Sequence, residues 1–101
     1  MKTLFAACAA FLSFFAVPAA AGDIEYGEYL SSECVTCHRA DATDARIPAI
    51  HGMDADGLAA IMKLYRAGEM ENEAMRTVAR RLTDEDIAAL AVYFAAQPPP
   101  R

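Results

Sequence analysis

Cys34, Cys37 and His38 stand in the order Cys-Xaa-Xaa-Cys-His, the most chemically specific grouping in the chain. At this spacing the two thiols can add across the vinyl groups of a haem, and the adjacent imidazole can reach its iron from one face. Two other chemistries use some of the same residues. A thioredoxin-like CxxC exchanges disulfides, but it belongs to a βαβ setting. A structural zinc site needs four ligands, and Cys34, Cys37, His38 and His51 just supply that number. Nothing else looks catalytic: there is no nucleophile beside a base, no pocket signature of paired acids and no phosphate loop.

The thiols need a helix end to deliver them, and the ligand needs further elements to wall it. Asp23 to Glu33 reads as a first helix, with Asp23 able to cap it and Ile24, Gly27, Leu30 and Cys34 roughly along one side. The motif follows its end. Arg39 to Met53 shows no sustained period and holds Pro48 and Gly52, so it reads as loop. Asp54 is a good N-cap for a second helix. There Leu58, Ile61, Met62 and Tyr65 follow i, i+3, i+4, i+7, and Gly68 sits where a left-handed C-terminal residue is wanted. A third helix is expected near Asn72 to Arg81, with Met75, Val78, Ala79 and Leu82 at the same spacing. Thr83-Asp84-Glu85-Asp86 is a capping signal, and its acids suit the helix dipole. The last helix runs to about Gln97 on a stripe of Ile87, Leu90, Ala91 and Phe94, until Pro98-Pro99-Pro100 stops it. No segment alternates at period two for long enough to be a strand. The fold class is all-α, which removes the setting a thioredoxin-like reading needs.

At 101 residues the chain holds one domain at most. Lys2, the uncharged apolar run Leu4 to Val17 and the small residues Pro18-Ala19-Ala20-Ala21 read as a secretory signal peptide over 1–21. The run is too short for a spanning helix, and a retained N-terminal anchor is the alternative. Cys8 has too little chain before it for a lipoprotein signal and reads as a small apolar filler. The expected organisation is therefore a signal peptide 1–21, a folded domain 22–97 and a Pro-rich tail 98–101. The mature protein is expected in the periplasm, without stable membrane insertion. Haem attachment at such a motif takes place outside the cytoplasm, so export and motif agree. The net charge of −5 argues against nucleic acid and suits a soluble carrier that docks on a complementary patch. A domain this small needs a staple. A disulfide within one CxxC closes a tiny loop, whereas a covalent haem places a large apolar face at the centre of the core.

Cys34-Val35-Thr36-Cys37-His38, the downstream Pro48-Ala49-Ile50-His51-Gly52, then Met75 and the closing Leu82-Thr83-Asp84-Glu85-Asp86-Ile87 together resemble the class I cytochromes c. The resemblance spans essentially all of 22–97. More narrowly, Met53 to Phe94 is similar to the haem subunit of flavocytochrome c sulfide dehydrogenase. Ile61-Met62-Lys63-Leu64-Tyr65-Arg66-Ala67-Gly68-Glu69 and Met75-Arg76-Thr77-Val78-Ala79-Arg80-Arg81-Leu82 carry that likeness. It implies a class I cytochrome c fold: about four short helices round one haem c, bound covalently through Cys34 and Cys37.

His38 then needs an opposite axial ligand unless the iron is open. Met53, Met62, Met70 and Met75 are the thioethers available, and His51 is the nitrogen alternative. Met62 lies on a helix stripe, where methionine is commonly core filler. Met53 belongs to the loop near the motif, and Met70 to an acidic turn. Met75 begins the apolar face of the third helix and precedes Leu82 as the family's ligand methionine precedes its closing helix. The resemblance thus implies His38 and Met75 as the metal ligands. It also implies that the Pro48 carbonyl takes a hydrogen bond from the other nitrogen of His38, orienting the ring. His51 reads as a surface or haem-edge residue. Gly27 wants a reason inside a helix, and the resemblance supplies one in a close crossing with the last helix near Tyr93 or Phe94.

With both axial positions filled from the protein, the expected function is outer-sphere electron transfer rather than catalysis. The first reading is the electron-accepting subunit of an FAD-containing sulfide dehydrogenase, with the catalysis in the flavoprotein partner. A free-standing carrier between respiratory or photosynthetic complexes is the second, and a haem-based ligand sensor the third. Arg76, Arg80 and Arg81 form a basic stretch that reads either as a docking face or as a solvated helix flank.

Overall fold

The computed structural model describes residues 19–100. Of the segment 1–21 expected as a signal peptide, residues 1–18 therefore lie outside the described part. Four helices follow one another: α1 (Ala19–Val35), α2 (Ala55–Arg66), α3 (Glu73–Arg80) and α4 (Asp84–Ala95). Among the described residues there is no strand, and no helix is long and apolar enough to cross a membrane.

Local chemistry sets most of the boundaries. Asp54 caps α2 by accepting the Gly57 N–H at 2.9 Å, and Gly68 at φ 78° turns the chain away after its last turn. Asn72 caps α3 by accepting the Met75 N–H at 3.0 Å. Thr83 and Asp86 form a reciprocal capping box at the start of α4. Two helices differ from their expected spans. α1 begins at Ala19, so Asp23 lies inside it rather than capping it, and continues through Val35, because the His38 N–H still reaches the Cys34 carbonyl at 2.8 Å and keeps the first cysteine in the last turn. α4 stops at Ala95, since the residue before a proline avoids helical angles and three prolines begin at 98.

The core is the set of stripes read from the sequence: Leu58 and Met62 of α2, Ala79 of α3, and Ile87, Leu90, Ala91 and Phe94 of α4. α4 packs against both α1 and α2, while α3 packs on α2. The α1–α4 crossing turns on Gly27. A Cβ there would stand 2.2 Å from the Ala89 carbonyl oxygen and 2.6 Å from Cβ of Tyr93. The Tyr26 hydroxyl adds a surface tie by donating to Asp86 at 2.5 Å. Behind the crossing, the loop is pinned to the end of α4, with the Gly52 N–H donating to the Phe94 carbonyl at 2.8 Å and Pro99 lying against Gly52.

Candidate functional site

α1 ends at the motif, so Cys34 is half-buried while Cys37 is exposed in the turn that follows. Burial, with a smaller contribution from the Glu33 charge, pushes the Cys34 thiol up to about 11. The two cysteines and His38 form one edge of a cleft with about 1200 Å³ of atom-free space, its open mouth included. Ile47, Pro48, Ile50 and Met53 of the loop continue the wall. Leu58, Ile61, Met62 and Tyr65 of α2 line it as well, as do Met70, Met75 and Val78. The helical stripes thus have a second use: their outer members face a space rather than another helix.

The His38 ring is held by a hydrogen bond, Nδ1 donating to the Pro48 carbonyl oxygen at 2.5 Å. A proton kept on Nδ1 leaves the lone pair on Nε2, the form an imidazole needs to bind a metal. Met75 lies in the first turn of α3, its N–H fixed by Asn72, and it lines the same cleft as His38. The other three methionines reach that cleft as well. Met62 is the most buried of them and packs in the core beside Leu58. Position in the sequence separates Met75 from Met53 and Met70 more sharply than the wall does.

His51 does not line the cleft. Its ring stands edge-on to Phe94 at 5.5 Å, with Nδ1 buried and without a hydrogen-bond partner. Among the described residues no three His, Cys, Asp or Glu side chains gather closely enough to hold a metal, so the zinc arrangement of Cys34, Cys37, His38 and His51 does not form. The basic stretch is not a free face either. Arg76 donates to the carbonyls of Met70 and Gly68, and Arg81 pairs with Glu33 at 3.2 Å, leaving Arg80 exposed. Periodicity carries no sign of the Arg76 contacts, because they run from a helix back to the turn before it.

The donor set suits a haem: two thiols, an imidazole with one nitrogen already bonded, thioethers in the same cleft and a largely apolar lining. The sequence model of cytochrome c matches residues 24–97. The chain belongs to the cytochrome c family. This cytochrome has the all-α class I fold, its cofactor is haem c, and Cys34 and Cys37 are the cysteines of its CxxCH motif. It is 38% identical to cytochrome c-554(548) of Halomonas halodenitrificans over 76% of this chain and 99% of that protein. It is also 36% identical to a thiosulfate dehydrogenase electron acceptor of Stutzerimonas stutzeri, over 66% of this chain and only 32% of that longer protein. The family and these relatives mark an electron carrier rather than a catalytic enzyme.

Proposed function

We propose that this cytochrome is an exported one-electron carrier whose haem iron takes His38 and Met75 as axial ligands. The observation that carries this reading is the placement of His38, already bonded through Nδ1, and Met75 on the walls of one apolar cleft. Bound haem supplies an Fe(III)/Fe(II) couple, and opposite histidine and methionine ligands raise its potential. The chain does the rest. Cys34 and Cys37 tether the group, the Pro48 carbonyl fixes the His38 ring and makes Nε2 more basic, and the α2 side chains exclude water. With His38 and Met75 both holding the iron, no position would be left on it for a substrate. Export to the periplasm is the companion proposal, supported by Lys2, the apolar run and Pro18-Ala19-Ala20-Ala21.

For the partner, we propose a dehydrogenase that oxidises an inorganic sulfur compound, in the first instance an FAD-containing sulfide dehydrogenase of which this chain is the electron-accepting subunit. Two observations support it: the likeness of residues 61–69 and 75–82 to a flavocytochrome haem subunit, and a relative named as a thiosulfate dehydrogenase electron acceptor. A free-standing carrier is the second reading. It is favoured by the match to nearly the whole of the small cytochrome c-554(548).

Purification from the native source separates the two. A flavin-containing chain that co-purifies supports the subunit, and an isolated monomer sinks it. Axial ligation is tested by the weak near-infrared band from sulfur-to-iron charge transfer in the ferric protein. Its loss in Met75→Ala would support Met75 as the ligand, and its survival in Met75→Ala combined with Met70→Leu would exclude it. Carbon monoxide binding by the untreated ferrous protein would favour a ligand sensor over a carrier.

A further inference from the structure

Met70 and Met75 both line the cleft, one in the turn before α3 and one in its first turn. Two thioethers so close in sequence compete for one iron position unless the backbone between them is held. Arg76 holds it. Its Nε donates to the Met70 carbonyl at 2.7 Å and its Nη2 to the Gly68 carbonyl at 3.1 Å. The side chain is only 25% exposed, and its ion pair with Glu73 is long at 4.0 Å, so the two carbonyls are what orient the guanidinium. Gly68 closes α2 in the left-handed region, so these bonds tie the end of α2 to the first turn of α3 across Met70. Asn72 completes the bracing: its side chain accepts the Met75 N–H at 3.0 Å and its carbonyl the Arg76 N–H at 2.9 Å. A lysine cannot replace this fork, because a compact ammonium on a flexible stem lacks the fixed geometry that serves two carbonyls together.

We propose that Arg76 is a positioning residue: by clamping the carbonyls of Gly68 and Met70 it holds Met70 back and keeps Met75 at the haem iron. The inference rests on Met75 as the axial ligand. The test uses the full haem-loaded protein as Arg76→Lys, Arg76→Ala, Met70→Leu and Met75→Ala, with helical content and thermal unfolding recorded beside the spectra. In both Arg76 variants the ferric near-infrared band weakens or shifts, and the ferrous form begins to bind carbon monoxide, which the wild-type carrier does not. Met70→Leu introduced into Arg76→Lys restores the band toward wild type, because the competing thioether is then gone. A lowered melting temperature with band and carbon monoxide response unchanged would make Arg76 a structural residue only, and the proposal would fall. Should Arg76→Ala not fold, Arg76→Lys carries the same comparison with charge and stem retained. If the band is lost in Met75→Ala but intact in both Arg76 variants, the clamp is wrong and the ligand right. If it survives even when Met75→Ala is combined with Met70→Leu, the ligand assignment itself is wrong.

Discussion

The two sides of α4 are built on opposite terms. Toward α1 it meets backbone at Gly27, where the space for one methyl group is already taken by the Ala89 carbonyl. Toward α2, and beyond it the cleft, the contacts pass through Leu58, Met62 and the methionine-rich wall. The first contact is polypeptide against polypeptide and tolerates no change of shape. The second is side chain against side chain, and through α2 it continues to the cleft, where unbranched, polarisable side chains can adapt to what they enclose. Rigidity is thus concentrated where the motif helix is anchored, and adaptability where the cofactor is enclosed.

The largest expected effect breaks the cofactor side. Cys34→Ala removes the half-buried tether, and denaturing gels stained for haem should show a marked loss of covalently bound group. Gly27→Ala comes next and strikes the rigid side. It should lower unfolding free energy by about 3 kcal/mol, since the clash is with backbone and cannot be relieved by a rotamer. Chemical denaturation measures it, and the spectrum of the protein that still folds should match wild type. Met62→Leu sharpens the contrast, because a volume-conserving change on the adaptable side should cost less than about 1.5 kcal/mol in the same assay. Thr83→Ala removes half of the capping box and should cost about 1 kcal/mol.

The smallest effect is a pH dependence. The Tyr26 hydroxyl, and after it the Thr83 N–H, hold the Asp86 carboxyl below its ordinary value of 3.8. Asp84 is lowered in the same direction by its hydrogen bond with Arg66. Because these values are lower folded than unfolded, the stabilisation is complete above the ordinary value and is lost as pH falls through the folded one. Asp84 is exposed and Asp86 only half-buried at the surface, so the slope is shallow. Asp86→Asn should flatten the decline of melting temperature on the acid side of 3.8, while a slope identical to wild type would remove Asp86 from the account.

Much of this was legible in the sequence because the signals are local. Asp54, Asn72 and the Thr83–Asp86 pair act within one helical turn, Gly68 marks its own left-handed geometry, and the α4 stripe needs only a period of 3.6. The Cys-Xaa-Xaa-Cys-His spacing is local as well. What escaped is what depends on a partner elsewhere. Arg76 reads as surface charge until the turn before α3 folds back under it. His51 reads as a surface or haem-edge residue, and nothing local in the sequence shows that its ring stands edge-on to Phe94. The four methionines could be ranked by position, yet residues that pack on a cofactor show the same apolar period as residues that pack on each other.

The wedge at Gly27 has a consequence for motion. α1 carries Cys34 in its last turn and is locked to α4 near its middle, so no part of it beyond the ends can open while α4 stays closed. The amide protons of central α1 and of α4 should therefore exchange with solvent at one common free energy, as a single cooperative unit. Those in the 39–47 loop should exchange far sooner. Separate protection levels for the two helices would show that the crossing does not couple them.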